Sequence, residues 1–223
     1  EVIDVVMYNP DQASYRAEVS TALASQPDAV FLVAFPHDGA TLAREWLSLG
    51  GTRTMILNNA LRSAEFVEAV GAQHLTDSFG TDNASAGGPE LDDFRAAYQA
   101  AYNAPADGPG IYNQYDAIIA LALAMNIAPD LTGPAIRDSM RSIHAEGGAP
   151  VGTGPEAFAK ALEHIKADEP IRYRGATGPI TFDAFGDVTG PALSWSVGED
   201  GSLNTDRTLD MEDMAELFKR IDG

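Results

Sequence analysis

The stretch Pro27–Asn59, PDAVFLVAFPHDGATLAREWLSLGGTRTMILNN, decides how this chain folds. Asp28 to Ala34 is a near-continuous apolar run, the pattern of a strand covered on both faces. An amphipathic helix is expected from about Asp38 to Leu49, where Gly50-Gly51 stops it. Thr54 to Leu57 is a second apolar strand. Together they make one βαβ unit. In open α/β sheets, ligands bind in the crevice outside the carboxyl ends of the strands. The loops Phe35-Pro36-His37 and Leu57-Asn58-Asn59 are therefore the first candidates for a site.

Outward from this unit, Val2 to Tyr8 is β-branched and bounded by Asn9-Pro10-Asp11, which predicts a strand. Asn9 suits a helix cap and Pro10 a first helical position. Tyr15, Val19 and Leu23 then form one apolar stripe. Ser63 is expected to cap a short helix ending near Gly71. From about Asn83 the texture changes. Leu91, Phe94, Tyr98 and Tyr102 mark a helix over Pro89–Tyr102. Ala104 to Gly110 is a loop, and Tyr112 to Met125 is a helix apolar almost all round, hence buried. Leu131–Ile143 and Pro155–Ile165 are further helices, with Gly147–Gly154 as a connector. Gly175 to Gly190 is turn-rich around Ile180-Thr181-Phe182. Pro191–Val197 is a strand, Gly198–Asp206 is polar, and Asp210–Ile221 is a closing helix. Three βα units, a helical block and a returning strand and helix suit a chain that leaves one lobe, builds part of another and comes back.

Composition narrows the function classes. The net charge is −19, from 33 acidic and 14 basic residues. Such a surface repels phosphate backbones and anionic membranes, so nucleic acid is not an expected partner. The chain has no cysteine, which removes disulfides, thiolate catalysis and zinc–thiolate sites. The longest apolar run, Ala117–Met125, is too short to span a bilayer. The chain opens on Glu1-Val2-Ile3-Asp4 without a basic-then-apolar leader, and reads as a processed or truncated product.

Few motifs carry chemistry. His37, His74, His144 and His164 lack metal-ligand spacing, and no nucleophile elbow or phosphate loop is present. Glu199–Asp206 has oxygen ligands without the acidic spacing of a calcium loop, and is expected to be a hairpin turn. Asn83-Ala84-Ser85 is a common chance match to a glycosylation triplet. No carboxylate pair stands out as general acid and base, and no cofactor is implied. What remains is recognition. Phe35 offers a flat apolar face and Asn59 an amide that both donates and accepts. Tyr112 starts the apolar helix after a glycine-rich loop. An aromatic wall with a few polar groups is how small-molecule sites are lined. Each also has a plainer reading: Phe35 as core, Asn59 as a cap, Tyr112 as packing.

Several stretches resemble the type I periplasmic substrate-binding proteins of ABC transporters, in the branched-chain amino-acid (Leu/Ile/Val-binding) family. They are Tyr8-Asn9-Pro10 through Tyr15, Pro27-Asp28-Ala29-Val30-Phe31, and Ala43–Gly50 ending in Leu49-Gly50. Tyr115-Asp116-Ala117 and Gly178-Pro179-Ile180-Thr181-Phe182-Asp183 with Gly186-Asp187 complete the set. The resemblance implies an α/β fold of two lobes, each a parallel sheet flanked by helices, joined by three hinge crossings and closing on a ligand. It covers nearly the whole chain but only the later part of that fold. Residues 1–82 would then be the first part of the C-terminal lobe, 83–187 the return through the N-terminal lobe, and 188–223 the C-terminal lobe again. Hinges are expected at Gly80-Thr81 and at Asp187 and Thr189.

Carried over by position, Phe35 matches an aromatic that packs on the ligand. Pro36 and His37 share its loop, and Tyr112 lies near a further contact. Asn59 matches a position that is acidic in amino-acid binders, where it holds the ammonium. A neutral amide cannot neutralise a buried ammonium, and a buried unpaired charge costs several kcal/mol. An amide, another neutral polar molecule or an organic acid fits better. The resemblance further implies a periplasmic, non-catalytic solute-binding protein that delivers its ligand to an inner-membrane permease. The chain by itself is expected to bind weakly and to expose apolar faces of Tyr112–Met125, with the missing half supplied by a second chain, by further sequence of the same protein or by a swapped copy. Two alternatives stay open: a ligand-sensing receptor or regulator domain of the same fold, and an α/β enzyme with part of its site in missing sequence.

Overall fold

A computed structural model describes residues 1–106, 110–183 and 185–222. The elements in chain order are α1 (Arg16–Ala24), β1 (Val30–Leu32), α2 (Pro36–Ser48), β2 (Met55–Leu57), a 3₁₀ turn (Asn59–Leu61), α3 (Ala64–Val70) and β3 (Phe79–Asn83). Then follow α4 (Pro89–Tyr102), α5 (Ile111–Ile127), α6 (Gly133–Ser139), β4 (Ala149–Val151), α7 (Pro155–Lys166), β5 (Ile171–Gly175) and β6 (Gly178–Pro179). The chain closes with β7 (Ala192–Val197), β8 (Leu203–Leu209) and α8 (Met211–Asp222). Contacts divide it into two units, one of Glu1–Asn83 with Leu193–Thr208, the other of Ala84–Ala192 with Leu209–Gly223. The chain thus passes between units at 83/84, 192/193 and 208/209. The closing helix groups with the second unit, where the sequence reading placed it with the first.

The first unit is a five-stranded sheet in the order β1-β2-β3-β7-β8. β1, β2 and β3 are parallel, with Leu32 opposite Leu57 and Leu57 opposite Gly80. Leu32 and Leu57 face the core built with Trp46, Phe66 and Trp195. The alternate row, Phe31, Ile56 and Phe79, lies on the other face. There Phe31 is 62% and Phe79 44% exposed. The strand expected to be covered on both faces is covered on one.

Gly80 is buried, and a Cβ there would collide with the Trp195 indole. It is not among the glycines with positive φ. It serves close approach of a ring, not backbone freedom.

Residues 1–9 form no strand. Val2, Val5 and Met7 are exposed. β1 is the edge of the sheet, and a β-branched run becomes a strand only where a neighbour completes its ladder. The first helix also begins later than expected, after Tyr15 rather than Asn9. Two N–H groups of the intervening loop are taken by side chains of α2. Asp11 N donates to Asp38 at 3.2 Å and Tyr15 N to Glu45 at 2.7 Å.

The second unit holds a small sheet, β4-β5-β6, with β4 parallel to β5 and β5 antiparallel to β6. Gly147–Gly154 therefore contains a strand and is not a plain connector. The loop expected over 104–110 falls partly on 107–109, outside the described residues. α5 buries Asp116, Ala120, Leu123 and Ala124 but exposes Ile118, Leu121 and Met125, so this apolar helix is buried along one face only. Asp116 is tied to the β5–β6 hairpin. Its carboxylate accepts from Ala176 N (2.8 Å), Thr177 N (2.8 Å), Thr177 Oγ1 (2.5 Å) and the Tyr173 hydroxyl (3.0 Å).

Candidate functional site

The two loops of interest end β1 and β2. Phe35 is the residue before α2, in extended conformation and 76% exposed. Pro36 takes the first helical position, where its fixed φ fits and no N–H is missed, so α2 starts at Pro36 rather than near Asp38. His37 is exposed in the first turn. Asn59 opens the 3₁₀ turn and is half-buried.

Contacts of Asn58, Leu61, Asp38 and Arg62 hold these loops in place. Asn58 N donates to Leu32 O at 3.3 Å, and Asn58 Oδ1 accepts from Ala34 N at 3.3 Å. One residue thus continues the pairing of β1 with β2 past the last ladder pair and fastens the Phe35 loop to the Asn59 turn. Leu61 packs on Gly39 of α2 so closely that a Cβ there would come within 2.5 Å of its side chain. Asp38 is buried in the first turn of α2 and accepts from the Tyr15 hydroxyl at 2.5 Å. A negative charge at a helix N-terminus is favourable. Arg62, just past the turn, reaches Asp82 at 3.4 Å and Thr205 at 3.1 Å.

The sequence reading includes Asn58 in a candidate loop without giving it a role, and gives none to Gly39. Their signals were present: an amide directly after a buried strand, and a glycine inside an amphipathic helix.

Burial pushes the Asp82 carboxyl above its ordinary 3.8, against the opposing pull of the Asn83 N–H and of Arg62. A carboxyl raised in the folded state binds more protons folded than unfolded. Its contribution to stability therefore falls as pH rises from the unfolded value through the folded one. Asp82→Asn should flatten this component. Calorimetric scans between about pH 3 and 6 check it, and an unchanged difference between variant and wild type across that window would refute it.

The remaining sequence candidates lie elsewhere. Tyr112 belongs to the second unit, where its ring meets Phe94 edge-on at 5.6 Å and its hydroxyl accepts from Arg95 Nε at 3.2 Å. Gly80 and Thr81 lie inside β3, before the 83/84 passage. Asp187 and Thr189 belong to the second unit, before the 192/193 passage. Asp187 is part of a turn in which its N–H donates to Asp183 Oδ1 at 2.9 Å.

The model of the periplasmic binding protein family matches residues 1–179. The chain belongs to this family. Solved structures of periplasmic binding proteins share its fold. A leucine-binding protein, LivK, from Thermotoga maritima superposes with a TM-score of 0.64 at 18% identity, over 92% of this chain and 51% of that one. The branched-chain amino-acid binding protein LivJ of Streptococcus pneumoniae, in complex with isoleucine, gives 0.57 at 14%, over 90% and 49%. A putative branched-chain amino-acid ABC transporter protein from Rhodospirillum rubrum gives 0.52 at 21%, over 88% and 49%. The chain spans about half the length of these structures. No curated protein sequence matches it significantly. The likenesses lend no support to a swapped second copy. None of the described helices is long and apolar enough to cross a membrane.

Proposed function

We propose that this periplasmic binding protein is the solute-binding component of an ABC importer, acts in the periplasm without catalysis, and hands a small polar molecule to an inner-membrane permease. The observation that carries the reading is the pairing of an exposed aromatic, Phe35, with a neutral amide, Asn59, on loops that Asn58 fastens together at the carboxyl ends of parallel strands. Phe35 would stack on the flat or apolar part of the ligand, and Asn59 would both donate and accept. Pro36 and His37 would border the same wall.

The amide supports a ligand class other than free amino acids. It pairs with a neutral polar group or a carboxyl and leaves an ammonium without a counter-charge. Amides and organic acids are preferred over α-amino acids. Selection of the ligand-closed state would couple binding to delivery.

These loops form one wall, so the chain by itself should bind weakly, with dissociation constants of about 1 mM or above. Calorimetric titration with isoleucine, an aliphatic amide and an aromatic acid tests the preference. Asn59→Asp should weaken the acid and strengthen isoleucine by about tenfold. Micromolar binding of isoleucine by the unmodified chain would overturn the reading.

A further inference from the structure

Arg62 follows directly on the turn that carries Asn59, and its guanidinium leaves that turn in two directions. Nη1 lies 3.4 Å from Asp82 Oδ2, and Nη2 donates to Thr205 Oγ1 at 3.1 Å. Nε–H is buried with no acceptor among the described residues. Asp82 is the penultimate residue of β3, which leaves the first unit at 83/84. Thr205 belongs to β8, which leaves it at 208/209. The side chains of Arg62 and Asp82 are 26% and 8% exposed, so solvent screens this pair less than a surface ion pair.

The backbone does not make the same link. The ladder between β2 and β3 ends at Leu57 and Gly80, short of both the turn and Asp82. Arg62 and Thr205 are 143 residues apart in sequence. One forked side chain therefore bridges the turn to two strands that continue out of the unit. Lysine, a point charge on a flexible stem, lacks the planar fork that bonds two partners at once.

We propose that Arg62 is a positioning residue that fastens the Asn59 turn to two of the three chain passages, so that the turn, the end of β3 and β8 move as one body. Its functional meaning rests on the Asn59 turn being ligand-bearing: a solute seated there biases the passages only if the turn cannot shift independently of them.

Hydrogen exchange read by mass spectrometry on the full chain tests the link without any ligand, so its outcome does not depend on what Asn59 binds. In Arg62→Met, amides of 58–62, 79–83 and 203–208 should exchange about tenfold faster together, while those of α2 and α3 keep wild-type rates. Arg62→Lys should restore one of the two strands at most. Asp82→Asn should free 79–83 alone and Thr205→Val 203–208 alone, and these two variants carry the test if Arg62→Met folds poorly. Adding Asp82→Asn to Arg62→Met should have no further effect on 79–83. Uniform loss of protection across the first unit would show a merely structural role. Unchanged exchange at either strand would break the proposed link.

Discussion

Asp116→Ala is expected to destabilise the second unit by about 4 kcal/mol. The Asp116 carboxylate is buried and satisfies two backbone N–H groups and two hydroxyls of the β5–β6 hairpin. Removing it strands the buried Ala176 N–H at a cost of about 1–3 kcal/mol and takes the acceptor from the part-buried Thr177 N–H and hydroxyl and from the Tyr173 hydroxyl. The hairpin cannot collapse onto the gap without rebuilding, because Gly175 already lies against the carboxylate too closely for a Cβ. Asp116→Asn keeps the shape but turns an amide N–H₂ toward donors, and should cost about 2 kcal/mol. Burial holds the Tyr173 hydroxyl far above the phenol range, and the Asp116 charge adds to it, so this donor persists at any working pH.

Both tryptophans, Trp46 and Trp195, lie in the first unit. Urea unfolding followed by tryptophan fluorescence should therefore keep its midpoint in Asp116→Ala, while exchange of second-unit amides should show a transition lower by about 2 M. Equal movement of both signals would contradict the localisation.

The second large effect is expected at the contact between β3 and β7. Trp195 is fully buried over Gly80. Trp195→Ala should cost about 3–5 kcal/mol through lost burial and the cavity left behind. Gly80→Ala inserts a methyl group where the indole stands, and should cost about 1–3 kcal/mol. The indole Nε1–H is buried with no acceptor among the described residues. Trp195→Phe removes that unpaired donor and frees room for a Cβ at residue 80. The pair Gly80→Ala/Trp195→Phe should thus be more stable than the sum of its single changes. Denaturant midpoints of the four proteins measure this, and strict additivity would refute it.

The parts of the fold legible in the sequence were those written locally. Ser63 caps α3 through the Phe66 N–H, the stripe Leu91, Phe94, Tyr98 and Tyr102 marks α4 (Pro89–Tyr102), and the apolar runs before Phe35 and Asn58 located β1 and β2. The illegible parts depend on distant partners. Val2–Tyr8 has strand composition but pairs with no strand among the described residues. Ala149–Val151 has glycine and proline around it yet pairs with Ile171–Tyr173 across α7. Leu203–Leu209 is polar and nearly all exposed, so no burial pattern announced it.

At the candidate site the exposed Phe35 and the half-buried Asn59 were legible from their place after strands. Their supports were not, because Asn58, Gly39 and Arg62 act through contacts with residues up to 143 positions away. Asp116 had a visible signal, a lone acid in an apolar helix, but its meaning appears only with the hairpin beside it.

The central claim, that the strand ends at Phe35 and Asn59 form the ligand-bearing wall, is tested most directly by nuclear magnetic resonance. Isotope-labelled protein would be titrated with an aliphatic amide, an organic acid and isoleucine. Shifts should concentrate at 34–38 and 57–61, saturate only near about 1 mM, and be larger for the amide and the acid than for isoleucine. Shifts confined to other segments, or micromolar saturation by isoleucine, would contradict the account.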